Sequence, residues 1–341
     1  MAESAVSPGD ALGIAQRAGD WLFGLLPFTT SDRTHWTGLA AFLLIGSAIW
    51  FCNRRTLRAE GFSGLVNFLV PAHIYFSRSS LVDAKVFLAN RVLSPLVGLF
   101  GQGLLVAVAA IVAQSMGGLI HDASKPAAST TAIVLATICM AIAGDFGTYW
   151  THRLHHERSV LWPFHKLHHS AEHLTPLTVF RKHPVYDLIS SLIRALCIGP
   201  VFGFILALFG VLNLVTILGV SLALALFNVA GANLRHSHIW LDFGPVMDHI
   251  FISPAQHQIH HSMAPRHHDR NYGEMLAIWD WAFGTLYIPK GREILQFGVA
   301  DANGVPEPQV HISLVTAYAV PFTEAAGALR ARRAPQQVAA E

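Results

Sequence analysis

The chain has 341 residues, 52% of them hydrophobic and 13% charged, with a formal net charge of +2 and a mean hydropathy of +0.43. That balance fits an integral membrane protein better than a soluble one. So small a net charge offers no case for nucleic acid as a partner. Cys52, Cys139 and Cys197 each fall inside an apolar run. They read as small buried hydrophobes, with neither a disulfide framework nor a zinc-type cysteine pair.

In chain order, residues 1–35 form an N-terminal segment whose first ten residues are polar. No basic stretch leads into an apolar core with a small-residue cleavage site, so no signal peptide is expected. Five stretches then approach the roughly 20 apolar residues that cross a bilayer: Trp36–Cys52, Leu93–Val112, Thr131–Trp150, Leu188–Phe209 and Val211–Val229. The first is short enough to be re-entrant or tilted instead. The last two, separated by little more than Gly210, read as a helical hairpin, and Gly199-Pro200 should kink its first arm.

Basic residues set the orientation. If the first span ends inside the cell, Arg54, Arg55, Arg58, Arg78, Lys85 and Arg91 are cytoplasmic, while the loop after the second span carries only Lys125. The third span then delivers its following histidines to the same side, and the hairpin returns the chain there. The expected fold is an all-α membrane bundle with a cytoplasmic histidine-rich helical cap. It divides into an N-terminal transmembrane region over 36–130, a catalytic region over 131–290 and a C-terminal tail over 291–341. Ala325–Glu341, rich in Ala and Arg with no clear core face, is expected to be loose and dispensable for chemistry.

The chain holds 20 histidines, many of them in three short boxes: His152-Arg153-Leu154-His155-His156, His165-Lys166-Leu167-His168-His169 and His257-Gln258-Ile259-His260-His261. His236-Ser237-His238 lies between the second box and the third. Residues three and four apart share a helix face, so each box should aim two or three imidazoles at one point. Neutral imidazole suits iron, zinc, copper or nickel. So many nitrogens exceed what one ion accepts, and two ions sharing the boxes is the economical reading. A single such box could be a solvated basic patch, but three on one membrane face argue against that. The metalloprotease pattern His-Glu-x-x-His fails because position 160, after His156-Glu157, is valine. The Glu-x-x-His pairs of soluble di-iron bundles are missing as well.

The order of these boxes resembles the membrane fatty acid hydroxylase and sterol desaturase superfamily. The resemblance extends to Asp145-x3-Tyr149-Trp150-x-His152-Arg153-Leu154-x-His156, Arg181-x-His183-Pro184 and Arg235-His236-Ser237. Beyond these come Ser253-Pro254-x2-His257-x2-His260-His261-Ser262, Asn271-Tyr272-Gly273 and Trp279-Asp280-x2-Phe283-Gly284-Thr285. It covers about Asp145–Tyr287, with weaker similarity back through Pro71-x4-Phe76-x2-Ser79.

The resemblance implies a membrane-bound, O2-dependent oxidoreductase with two non-haem iron ions, which hydroxylates or desaturates a C–H bond of a lipid such as a fatty acyl chain or sterol. It implies His152, His156, His165, His168, His169, His236, His257, His260 and His261 as metal ligands. No catalytic group beyond these ligands is expected. His183 is a further candidate, as a ligand or a residue on the substrate path. His238 stands where the family usually has asparagine, and could replace or supplement His236. Asp145 is expected to accept a ring N–H from a ligand histidine. His155, His173, His249, His267 and His268 lie outside the family positions, as interfacial or supporting groups. Asn271-Tyr272-Gly273 reads as a turn.

No haem, flavin or ferredoxin-type cysteine motif is evident, so electrons should come from another protein, cytochrome b5-, ferredoxin- or rubredoxin-like. The rival reading is a histidine-rich membrane metal-binding or metal-transport protein without oxidase activity. It should place ionisable ligands at the midplane of the spans, which are nearly free of histidine. A bis-histidine haem protein would need single facing histidines in place of clusters.

Overall fold

The computed structural model describes residues 36–57, 61–116, 129–209, 227 and 231–333. Apolar runs in this part become four helices long and apolar enough to cross a membrane. Helix α1 (Trp36–Asn53) is followed by two short helices, α2 (Gly61–Leu69) and α3 (Ala72–Tyr75), and then by α4 (Arg78–Ser115). Next come α5 (Thr130–Glu157), the short α6 (Trp162–His169) and α7 (Pro184–Phe209). The short helices α8 (Pro254–His260) and α9 (Ile278–Phe283) precede a final long one, α10 (Leu314–Arg333). No strand forms among the described residues, only isolated bridges such as Phe251 with Leu276. The expected segment 1–35 and the expected fifth span, apart from Phe227, lie outside the described residues.

The outward faces of the long helices are apolar. Leu96, Leu99, Phe100, Val106 and Ile111 on α4 are exposed, as are Val134, Leu135 and Ile138 on α5. A surface of this kind is stable only against lipid. Cys52 and Cys139 lie on such exposed faces, so the expectation that they are buried is wrong. An apolar run does not tell which side faces a neighbouring helix.

Helix α7 packs along α4 and also against α5. At Gly199 a side chain would come within 2.8 Å of Val108 on α4, so its bare backbone is what lets the two helices approach. The helix runs on through Pro200.

At ~1.5 Å per residue, 38-residue α4 is far longer than the ~30 Å of hydrocarbon. Its N-terminal part buries polar residues, Ser79, Ser80, Asp83 and Asn90, and Ser79, Asp83 and Asn90 meet the segment that follows α6. Arg181, fully buried, is the knot. It pairs with Asp83 at 3.0 Å and donates to the Leu167, Ser79 and His311 carbonyls and to Ser170 Oγ. One guanidinium thus ties α4, the end of α6 and the chain just before α10.

The C-terminal region contradicts the expectation of a loose tail. Helix α10 packs on α6, with Ala317 buried among Val82, Val86 and Leu167 and Ala325 against Phe164 and Tyr186. Lys166 on α6 reaches Glu324 at 3.0 Å and Glu307 at 2.8 Å. Alanine gives little hydrophobic signal in sequence, yet its small side chain is what allows this close helix contact. Residues 334–341 lie outside the described residues.

Candidate metal centre

Three helices bring the boxes together. The last turns of α5 carry His152, His155 and His156; α6 carries His165, His168 and His169; α8 carries His257 and His260, with His261 at its C-cap. Helix α8 is only 7 residues long, too short to be stable alone. A capping box holds its start: Ser253 Oγ accepts from Gln256 N, and Gln256 Oε1 accepts from Ser253 N at 2.9 Å. Pro254 occupies its first turn. Gln258 Nε2 donates to the Leu234 and Ile239 carbonyls, 2.9 Å each, and so fastens α8 to the segment carrying His236.

The nine histidines converge as two groups, His152, His156, His165, His169 and His260 in one and His168, His236, His257 and His261 in the other. Within each group the ligand-capable nitrogens all lie within 4.8 Å of one another. Each i,i+4 pair shares a group: 152 with 156, 165 with 169, 257 with 261. The box members at 168 and 260 go to the opposite group from the i,i+4 pair of their own box. Each box thus aims two imidazoles at one point, as its spacing leads one to expect, and the second and third boxes each give their remaining histidine to the other group. Adjacent helix residues diverge by about 100°, so His168 and His169, or His260 and His261, are turned to different centres. The two groups abut, with His169 and His261 stacked at 4.5 Å between centroids.

The donor set fits cations. His152 Nδ1 faces the Tyr272 carbonyl at 2.7 Å and His260 Nδ1 faces that of Arg270 at 2.7 Å. A carbonyl only accepts, so Nδ1 carries the proton in both rings, and in the neutral ring Nε2 is left as a lone pair. In the first group His260 Nε2 lies 3.1 Å from His169 Nε2, which lies 3.2 Å from His165 Nε2. In the second, His236 Nε2 lies 3.2 Å from that of His168 and 3.1 Å from that of His257. One N–H cannot serve two neighbours, and the buried Nε2 atoms of His152, His156 and His261 have no hydrogen-bond partner among the described residues. Converging lone pairs repel unless a cation sits among them. With metal–nitrogen bonds of about 2.1 Å, ligands at 90–110° stand about 3.0–3.4 Å apart, which brackets the spacings seen.

Burial also keeps the imidazoles neutral, as metal binding requires. It pushes His165, His168, His169, His257 and His261 well below the usual histidine range, and takes His260 down to about 4.

Three expected site residues do other work. Asp145 accepts from Met275 N, Leu276 N and Trp279 Nε1 at 2.9–3.2 Å, and so binds α5 to the chain leading into α9. It takes no histidine N–H, because the carbonyls of Tyr272 and Arg270 already supply that acceptor. His183 belongs to neither group: its Nδ1 accepts from Val185 N and its Nε2 donates to the Tyr318 carbonyl at 3.1 Å, anchoring α10. His238 donates from Nε2 to the Phe68 carbonyl at 2.6 Å, tethering α2 away from both groups.

Of the remaining histidines, His155 is fully buried, with Nδ1 donating to the Thr151 carbonyl. His267 is buried 3.1 Å from Glu293, His268 donates to the Met263 carbonyl, His173 lies edge-on to His73 and His249 packs against Trp281.

The turn at Asn271-Tyr272-Gly273 matters more than its sequence suggests. Asn271 has φ 56°, and Asp280 accepts from Tyr272 N at 2.8 Å and Gly273 N at 2.7 Å. That clamp aims the Tyr272 carbonyl at His152. Side-chain identity gives no sign of a role carried by a backbone atom.

Residues 137–285 match the fatty acid hydroxylase family. The chain is similar to an alkylglycerol monooxygenase of Xenopus tropicalis, 30% identical over 49% of this chain and 34% of that protein. An ornithine lipid hydroxylase of Rhizobium tropici is 31% identical over 46% of this chain and 44% of its own length. A Delta(7)-sterol 5(6)-desaturase of Aspergillus fumigatus is 27% identical over 46% and 50%. The chain thus matches a third to a half of the length of these relatives. No solved structure matches it. The matched segment, residues 137–285, contains every histidine of the two groups, so the part of the chain that is similar to the fatty acid hydroxylase family is the part that builds them.

Proposed function

We propose that this protein is a membrane-embedded lipid hydroxylase or desaturase that binds two non-haem iron ions and uses O2. The observation that carries the reading is the pair of buried all-histidine groups, built within the segment similar to fatty acid hydroxylases from the end of the apolar helix α5 and the short helices α6 and α8. Imidazole nitrogen suits iron, whereas magnesium and calcium prefer oxygen ligands. Bound iron would supply the activation of O2, chemistry outside the reach of protein side chains.

The chain's own part is to hold and orient. His152, His156, His165, His169 and His260 would hold one ion, and His168, His236, His257 and His261 the other. The Tyr272 and Arg270 carbonyls fix the ring flips and tautomers of His152 and His260. The Arg181 knot fixes α6 against α4 and α10, so that three of the ligands keep their places. A lipid entering sideways from the bilayer can be held with one carbon facing the histidines, and that positioning decides which C–H bond reacts.

Relatives named for alkylglycerol, ornithine lipid and sterol substrates support a lipid as substrate. The basic residues Arg54, Arg55, Arg78, Lys85 and Arg91 near the ends of α1 and α4 support a cytoplasmic position for the histidine cap. Electrons would come from a separate carrier protein of the cytochrome b5, ferredoxin or rubredoxin kind. Histidines at helix ends also argue against a transport path, whose ligands would lie at mid-span.

Lipid mass spectrometry of cells with and without the active chain tests the reading. A lipid gaining one oxygen or losing two hydrogens, absent from cells carrying His168→Ala, is expected. Metal flux in proteoliposomes with no O2 consumption and no altered lipid would overturn it.

A further inference from the structure

A cavity of about 430 Å³ opens over the first histidine group from the side of the loops. Its floor includes His156, His169 and His260 and no member of the second group, and its wall and rim include Glu157, Asp269 and Asp301. No lysine or arginine is among the described residues that line it. Glu157 is already paired with Arg153 at 2.7 Å, whereas Asp269 and Asp301 are paired with neither lysine nor arginine among the described residues. Their carboxylates are held in place: Asp269 Oδ1 accepts from Tyr272 Oη at 2.9 Å, and Asp301 Oδ1 accepts from Asn303 N and Val305 N, each 2.9 Å.

Below the rim, Asp269 Oδ1 lies 3.9 Å from Nδ1 of His156, whose side chain is only 9% exposed. The Nε2 of that ring is buried and has no hydrogen-bond partner among the described residues. From solvent inward the lining therefore runs from the exposed carboxylates of Asp269 and Asp301 to the His156 ring beside Asp269, whose buried Nε2 faces the first group.

We propose that this acidic cavity is the path by which a divalent cation enters the first histidine group. It rests on the reading of that group as a metal site. A hydrated divalent ion cannot take the lipid's route, because an unpaired charge in hydrocarbon is too costly, so loading needs an aqueous opening. A cleft lined by one sign of charge focuses the field and raises the capture rate of the opposite charge by 10–1000-fold, roughly, at low ionic strength. The carboxylates draw the ion in without being among its final ligands.

The test follows uptake of Co2+ alone by the chelator-stripped full chain in detergent, by stopped-flow absorbance. Asp269→Asn with Asp301→Asn removes both charges, and asparagine oxygen can accept the same hydrogen bonds and tolerates the positive φ of 58° at position 269. The expected result is first-ion uptake slowed on the order of tenfold at low ionic strength. That difference shrinks to under about twofold in high salt, with unchanged final stoichiometry and spectrum. At exposed Ala302 on the same rim, Ala302→Lys should slow uptake and Ala302→Asp should speed it. Equal rates for all these proteins at low salt, or slowing that salt does not reduce, would overturn the proposal. Failure of the unaltered chain to take up Co2+ at all would instead overturn the metal-site reading beneath it.

Discussion

Arg181→Leu should destabilise the fold by about 4 kcal/mol. The guanidinium and Asp83 are both fully buried and 3.0 Å apart. Removing one member of such a pair typically costs about 3–5 kcal/mol, because the remaining charge stays in low dielectric uncompensated. Asp83 would keep one good hydrogen bond, from Thr178 Oγ1 at 2.6 Å. The Leu167 carbonyl would lose the Arg181 donor but keep Ser170 Oγ at 2.7 Å, so it is not orphaned and the broken ion pair sets the size of the loss. Asp83→Leu alone should cost a similar amount. The double variant should cost clearly less than the sum, with a coupling of about 3 kcal/mol, because two apolar groups have no desolvation to offset. Denaturant unfolding in detergent, followed by tryptophan fluorescence, measures all four proteins. A single variant within about 1 kcal/mol of the parent, or costs that simply add, would refute the claim that this pair holds the helices together.

Three further outcomes follow from the same contacts. His311 is buried, and burial first, then the Arg181 and Lys166 charges, push it down to about 4. In the unfolded chain it returns to about 6.5, so between these values the unfolded state binds more protons and stability falls as pH falls. In the metal-stripped protein, His311→Phe should therefore flatten the loss of stability between about pH 6.5 and 4; an unchanged slope would be evidence against that burial. Gly273→Ala would set a methyl 2.6 Å from the Leu276 carbonyl and 2.8 Å from Asp280 Oδ2. The turn must shift, the Tyr272 carbonyl moves off His152, and iron retained through dialysis against a chelator should fall, which metal analysis reads directly. Truncation after Ser313 removes α10 with Ala317, Ala325 and Glu324; it should lower both thermal stability and metal content, whereas a dispensable tail would leave both unchanged.

The long apolar runs and the histidine spacing were legible in sequence because both are one-dimensional patterns with a direct physical meaning. A span of about 20 apolar residues needs lipid, and an i,i+4 pair shares a helix face, so spacing alone groups 152 with 156, 165 with 169 and 257 with 261. The assignment of His168 to one group and His169 to the other depends on where three helices cross, which no local pattern contains. Asp145 was legible as a carboxylate needing partners, but not that its partners would be two backbone amides and Trp279. The orienting acceptors for His152 and His260 are peptide carbonyls, present at every residue and therefore invisible in a residue code. Arg181 and Asp83 are 98 positions apart, and helix α10 hides its packing face in alanines.

The most direct test of the central claim is metal content per chain after purification in detergent. The account predicts about two iron ions and no haem in the unaltered protein. His156→Ala and His257→Ala, one from each group, should each leave about one, and together about none, with O2 consumption lost in all three. A single ion in the unaltered protein, or two retained after either substitution, would contradict it.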